Sequence, residues 1–203
     1  MIKHTAAALL LALGSFAHAV QAAPINLLTN GDFEAGTLTG WIGTPDPSPN
    51  GGQFVGPDFS FSPVPHAGNV FNDAAYNTVG LLTQSVNTVA GALYTIEFDL
   101  QRFQTGADLD NFASMSFGGV TLFQQTNVSA DWTHYSFTGV VASGATSLLE
   151  FGNRNYWDFN QLDNVSVIKT SPDNPPPSPV PEPSSAALLL ASLGVLGLMR
   201  RRA

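Results

Sequence analysis

Apolar and polar residues alternate along much of the chain, and they do so in short runs. Leu93 to Leu100, LYTIEFDL, shows the pattern best. Tyr94, Ile96, Phe98 and Leu100 fall on one side of an extended backbone, and Thr95, Glu97 and Asp99 on the other. A period of two predicts a half-buried antiparallel strand. Similar runs, rich in β-branched and aromatic residues, cover Val79 to Val86, Phe112 to Phe117, Val120 to Phe123, Trp132 to Val141, Ser147 to Phe151 and Gln161 to Ile168. Gly118-Gly119 lies between two of them as a tight hairpin turn. No stretch between Pro24 and Thr170 carries a helical stripe. The expected fold is all-β, an antiparallel β-sandwich or jelly roll over residues 23–170.

One segment interrupts the pattern. Thr44 to Pro65 holds six prolines, with Phe54, Phe59 and Phe61 among them. Proline cannot donate to a sheet ladder, so this segment is expected to be a long loop packed onto the sandwich.

Both ends carry other signals. Lys3 and His4 precede 12 mostly apolar residues, Thr5 to Phe16, and small residues follow at Ala17, Ala19 and Ala22. A positive start, a short apolar core and small residues predict a secretory signal peptide over residues 1–22, cut after Ala19 or Ala22. Its helix is well short of the roughly 20 residues that span a bilayer. At the other end, residues 171–183 hold seven prolines and form an extended linker. Residues 184–199 carry no charge and are followed by Arg200, Arg201 and Arg202. A hydrophobic transmembrane helix here would hold the exported chain in the inner membrane, with the arginines on the cytoplasmic side.

The string Val180-Pro181-Glu182-Pro183-Ser184-Ser185, the apolar run and the arginine cluster together resemble the PEP-CTERM sorting signal, over residues 180–203. The resemblance implies a Gram-negative producer, an exosortase that cuts near Pro181, Glu182 and Pro183, and delivery to the cell surface or extracellular matrix.

Charge narrows the partners. All fifteen acidic residues lie between Asp32 and Glu182, where Arg102, Arg154 and Lys169 are the only basic ones, a formal −12. Nucleic-acid binding needs Lys and Arg to displace counterions from phosphates and is excluded on this count. The chain has no cysteine, so neither disulfides nor thiol chemistry support it.

Three further patterns resemble the galactose-binding-like jelly rolls, and carbohydrate-binding modules in particular. They are Asn26-Leu27-Leu28 through Asn30-Gly31-Asp32-Phe33-Glu34 with Gly40-Trp41; Thr83-Gln84-Ser85-Val86 with the strand ending Phe98-Asp99-Leu100; and Gln161-Leu162-Asp163-Asn164-Val165-Ser166-Val167. The resemblance implies two packed sheets whose first and last strands pair, a frequent structural calcium ion, and glycan binding. In that topology Glu34 and Asp163 converge as calcium ligands, since calcium takes six to eight oxygens. The plainer reading of both is a surface charge. Phe33, Trp41, Leu162 and Val165 are expected in the core.

Catalytic motifs are absent: there is no G-x-S-x-G, no P-loop, and no metal spacing around His66 or His134. The chain is therefore read as a non-enzyme. Candidate glycan contacts are Arg102 and Phe103 in one stretch and Arg154, Tyr156 and Trp157 in another that runs from Asn153 to Phe159, each mixing aromatic faces with hydrogen-bonding groups. The same aromatics could instead cap one end of the core. The expected function is an exported, surface-sorted protein that binds exopolysaccharide or helps build a biofilm matrix. The alternatives are a structural protein without a small ligand, and a glycan-active hydrolase.

Overall fold

The computed structural model describes residues 24–59, 66–103, 111–156 and 158–171. The signal peptide, Trp157, the linker after Ser171, and the sorting segment with its apolar helix lie outside the described residues. Among those described, no helix is long and apolar enough to cross a membrane.

The described residues form ten strands: β1 (Ile42–Thr44), β2 (Gly52–Pro57), β3 (Asn69–Ala74), β4 (Gly80–Asn87), β5 (Leu93–Phe103), β6 (Asn111–Phe117), β7 (Val120–Thr126), β8 (Thr133–Val141), β9 (Thr146–Asn155) and β10 (Phe159–Lys169). They form two five-stranded antiparallel sheets, ordered β1-β4-β9-β6-β7 and β2-β3-β10-β5-β8. The inward faces meet in one core containing Phe33, Trp41, Phe71, Leu82, Ile96, Phe98, Met115, Leu149, Phe151 and Leu162. Phe98 lies at its centre, with ring centroids of Phe151, Tyr135 and Phe123 at 5.1, 5.2 and 5.5 Å.

The seven expected strands are all there, and Tyr94, Ile96, Phe98 and Leu100 do point inward. Gly118 and Gly119 turn the β6–β7 hairpin with φ of +58° and +82°, the left-handed pair such a two-residue turn requires. The N-terminal segment joins the last strand: Leu27 N–H donates to Val167 O at 2.9 Å, and Val165 N–H to Gly31 O at 2.8 Å.

Three strands are additional. The Pro-rich stretch expected to be a loop contains β2, which forms the sheet edge and ends at Pro57, a position where a missing donor costs no ladder bond. β3 shows no alternation because both its faces are covered: Val70, Phe71, Asn72 and Asp73 are all fully buried. β1 is only three residues long. A bulge in β10 between Asp163 and Ser166, with Asn164 at φ +50°, re-aims the strand beside Asp163.

Candidate functional site

Because Tyr94, Ile96, Phe98 and Leu100 go inward, Thr95, Glu97, Asp99, Gln101 and Phe103 face outward from β5. The register with β10 places Phe159 beside Phe103, Gln161 beside Gln101 and Asp163 beside Asp99. On the next two strands Asn72 stands beside Gln161, and Phe54 beside Asn72. The outward face of this sheet therefore has three zones.

The first is aromatic. Phe54 meets Phe159 edge-on at 5.4 Å and Phe59 at 6.4 Å; Phe103 lies 6.3 Å from Phe159 and 6.5 Å from Phe59. Phe54 and Phe59 are 38% and 45% exposed, so the cluster presents apolar ring surface to solvent.

The second is a ladder of amides. Gln161 Nε2 donates to Asn72 Oδ1 at 2.8 Å, and Gln101 Nε2 donates to Gln161 Oε1 at 2.6 Å. Gln101 Nε2 also reaches Asp58 Oδ1 at 3.1 Å. All three amides are fully buried, and Gln101 Oε1 has no donor among the described residues. Asp58 ties the β2–β3 connection to the sheet: its Oδ2 accepts Trp132 Nε1–H and the His66 amide, each at 2.9 Å. The His66 ring stacks on Trp132 at 4.0 Å.

The third zone is acidic. His66 Nδ1 lies 2.8 Å from Asp163 Oδ2, and His134 Nδ1 lies 2.7 Å from Asp99 Oδ1. Asn164 Nδ2 donates to Asp99 Oδ2 at 2.8 Å, and Ser136 Oγ to Glu97 Oε1 at 2.9 Å. Burial pushes Asp163 up to about 6, against the opposing effect of its bond to His66.

The residues singled out from sequence are distributed over this architecture. Phe103 belongs to the aromatic zone. Arg102 is its neighbour in β5 and therefore sits on the inward side, in register with Asn160. Arg154 stands on the outward face of the other sheet, paired with Phe112. Tyr156 lies in the β9–β10 connection, 36% exposed, with its ring 4.7 Å from Tyr76. Successive residues of a strand face opposite ways, so an aromatic and an arginine adjacent in sequence do not share a surface.

Glu34 and Asp163 do border one depression, with Asp32, His66, Ala67 and Asn164. Glu34 Oε1 accepts the Asn69 amide at 2.8 Å, and Asp163 Oδ1 accepts the Asn164 amide at 2.7 Å. Among the described residues, no three acidic or histidine side chains surround a common point as metal ligands would. Carboxylates from both ends of the domain fit a hard cation in kind, but Asp163 offers a second oxygen only by parting from His66.

Phe159 ends the second aromatic-polar stretch read from the sequence, whereas Phe54, Phe59, Trp132, Gln101 and Gln161 have no site signal of their own there. Their common surface depends on cross-strand register, which composition does not carry. The available signal was the phenylalanine content of the Pro-rich stretch opposite an outward Phe103.

The C-terminal residues 179–203 match the PEP-CTERM protein-sorting motif. The tail is a sorting signal. It marks the chain as exported, and no curated protein matches the sequence. In fold, the sandwich is similar to TmCBM61, solved in complex with beta-1,4-galactotriose, with a TM-score of 0.56 at 15% identity over 72% of this chain and 99% of that one. It is also similar to the CBM22-1 xylan-binding domain of Paenibacillus barcinonensis Xyn10C, with a TM-score of 0.51 at 14% identity over 75% and 99%. The enzymatically active domain of bacteriophage CBA120 tailspike protein 4 contains a similar unit, with a TM-score of 0.54 at 16% identity over 72% of this chain and 22% of that one. The domain has a jelly-roll fold, similar to that of these carbohydrate-binding modules.

Proposed function

We propose that the PEP-CTERM chain is a non-enzymatic protein that binds polysaccharide across the outward face of the β2-β3-β10-β5-β8 sheet. It acts at the cell surface or in the extracellular matrix, after an exosortase removes a tail held transiently in the inner membrane.

The observation that carries the proposal is the half-exposed Phe54, Phe59, Phe103, Phe159 cluster beside a ladder of amides and carboxylates. A sugar ring has an apolar C–H face and a hydroxylated rim, and sites for such ligands combine aromatic surface with a few fixed polar groups. The solved modules of this fold whose names specify galactotriose and xylan lend support by analogy.

Affinity electrophoresis of the detergent-solubilised full chain through gels containing neutral β-glycans tests this reading. Retardation is expected for the wild type and its loss for Phe54→Ala and Phe59→Ala, with little change in unfolding midpoint because both rings are half exposed. A wild type that no polysaccharide retards overturns the binding claim. New reducing ends in the same gels overturn the non-enzymatic one.

A further inference from the structure

We infer that the end of the sandwich from which the chain leaves is a lipid-contacting surface, seated on the bilayer that holds the tail. The inference rests on the proposed membrane-held tail and gives the folded domain a part in that stage.

Backbone bonds gather several turns and strand ends there. Thr88 N–H donates to Ala145 O, and Gly91 N–H to Ala142 O, each at 2.8 Å. Leu93 pairs with Val141 across β5 and β8. The β6–β7 hairpin joins them, since Gly118 N–H donates to Leu148 O at 2.9 Å. Val89, Leu93, Val120 and Val141 are 55%, 41%, 62% and 60% exposed, so four aliphatic side chains share one end of the domain. A groove between the edge strands β7 and β8 continues this surface from Val120 and Val141 to Leu122 and Phe137. Apolar surface gathered in one place marks a contact, as single scattered residues do not.

Two observations say what it contacts. The chain leaves the domain here: Thr170 and Ser171 N–H donate to Leu93 O at 2.8 and 3.3 Å, and Leu93 N–H donates to Ser171 Oγ at 3.1 Å. Only residues 172–183 separate Ser171 from the apolar residues 184–199, a reach of at most about 40 Å. Charge is the second. Residues 86–93, 117–120, 139–146 and 168–171 contain no acidic side chain, and the one charge among them is Lys169. Asp173, two residues on, belongs to the linker. An anionic bilayer repels the acidic remainder of the domain and leaves this end as the part that can approach and bury its aliphatic groups. Seated so, the domain holds Phe103, at the far end of β5 from Leu93, about 33 Å from the lipid.

The chain has no cysteine, so single introduced cysteines carry a reporter unambiguously. The full-length chain, reconstituted into phosphatidylethanolamine–phosphatidylglycerol vesicles, is labelled with an environment-sensitive fluorophore at Val89→Cys, at Val141→Cys, or at Val79→Cys before the opposite end of β4. Lipids carrying a nitroxide at headgroup depth are expected to quench the first two labels at least threefold more than the third. In the Val89→Cys chain, Val120→Asp with Val141→Asp should abolish that difference; both side chains are more than half exposed, so the fold persists. Equal quenching at both ends of the domain, or quenching undiminished by the two acids, overturns the lipid contact while tail insertion stands. Energy transfer between labels that rises with protein density, in place of lipid quenching, overturns it in favour of a second copy. A chain that does not float with the vesicles overturns both the membrane-held tail and the contact.

Discussion

Gln53 Nε2 donates to Asp73 Oδ2 at 2.9 Å, while Asp73 Oδ1 and Gln53 Oε1, both buried, have no hydrogen-bond partner among the described residues. Gln53, Asp73 and Asn160 stand side by side on β2, β3 and β10, facing the interior, and Asn160 Oδ1 is likewise without a donor. The row has more acceptors than donors, and a proton on Asp73 is the smallest addition that relieves it. Burial pushes this carboxyl up to about 7, opposed by the Gln53 bond and reinforced by the charge of Asp46. An unfolded aspartate titrates near 3.9, so the folded state holds a proton the unfolded state has lost. That stability is fully present below about pH 4 and is lost as pH rises through about 7, a change on the order of 4 kcal/mol for this group. Denaturant midpoints at pH 5 and pH 8 should show the domain weaker at the higher value, and Asp73→Asn should flatten the difference. A profile unchanged by Asp73→Asn would rule out a buried proton.

Gly80 tests the same contact from the opposite sheet. A Cβ there would stand 2.7 Å from both Asp73 oxygens. Gly80→Ala should therefore cost about 1–3 kcal/mol, as overpacking does. Shortening the neighbour in the double variant Gly80→Ala, Asp73→Gly should recover part of that loss, read as a coupling in unfolding midpoints. Additive costs would place the strain elsewhere.

Much of this was legible in the sequence where one face of a strand is wet. β5 could be read because Thr95, Glu97 and Asp99 interrupt its apolar residues. β3 could not, since Asn72 and Asp73 are buried and the strand has no polar face. The candidate site was legible at Phe159 and at Phe103. Phe54, Phe159 and Gln101 become its neighbours through pairing between strands far apart in the chain, and that pairing is fixed by the packing of all ten strands.

Calcium is tested at Glu34 and Asp163. If the ion binds the folded state alone, a hundredfold excess over its Kd adds about 2.7 kcal/mol, a rise of several degrees in Tm. The rise should vanish in Glu34→Gln and in Asp163→Asn, and the His66 ring resonances should shift as Asp163 releases its Nδ1. A melting curve unmoved by either calcium or chelator would leave both carboxylates as structural acceptors.

For the tail, the intact mass of protein extracted from the cell surface should lack the residues from about Ser184 onward. Replacing Glu182 with Ala should leave the full-length species in the inner-membrane fraction. Surface material that retains Leu188 to Ala203 would mean that no exosortase acts on it.

The order of strands in the β2-β3-β10-β5-β8 sheet also constrains the timing of export. The last strand to leave the ribosome lies between the third and the fifth, and its far end binds the N-terminal Leu27. A chain threaded N-terminus first through a membrane channel consequently carries an open slot between β3 and β5 until Lys169 has emerged. Before that moment the phenylalanines of the outward face have no continuous floor, and two bare strand edges wait for a partner. The sheet can thus close only when all that remains to follow it is the proline-rich stretch and the sorting motif, so folding and sorting fall next to each other in time.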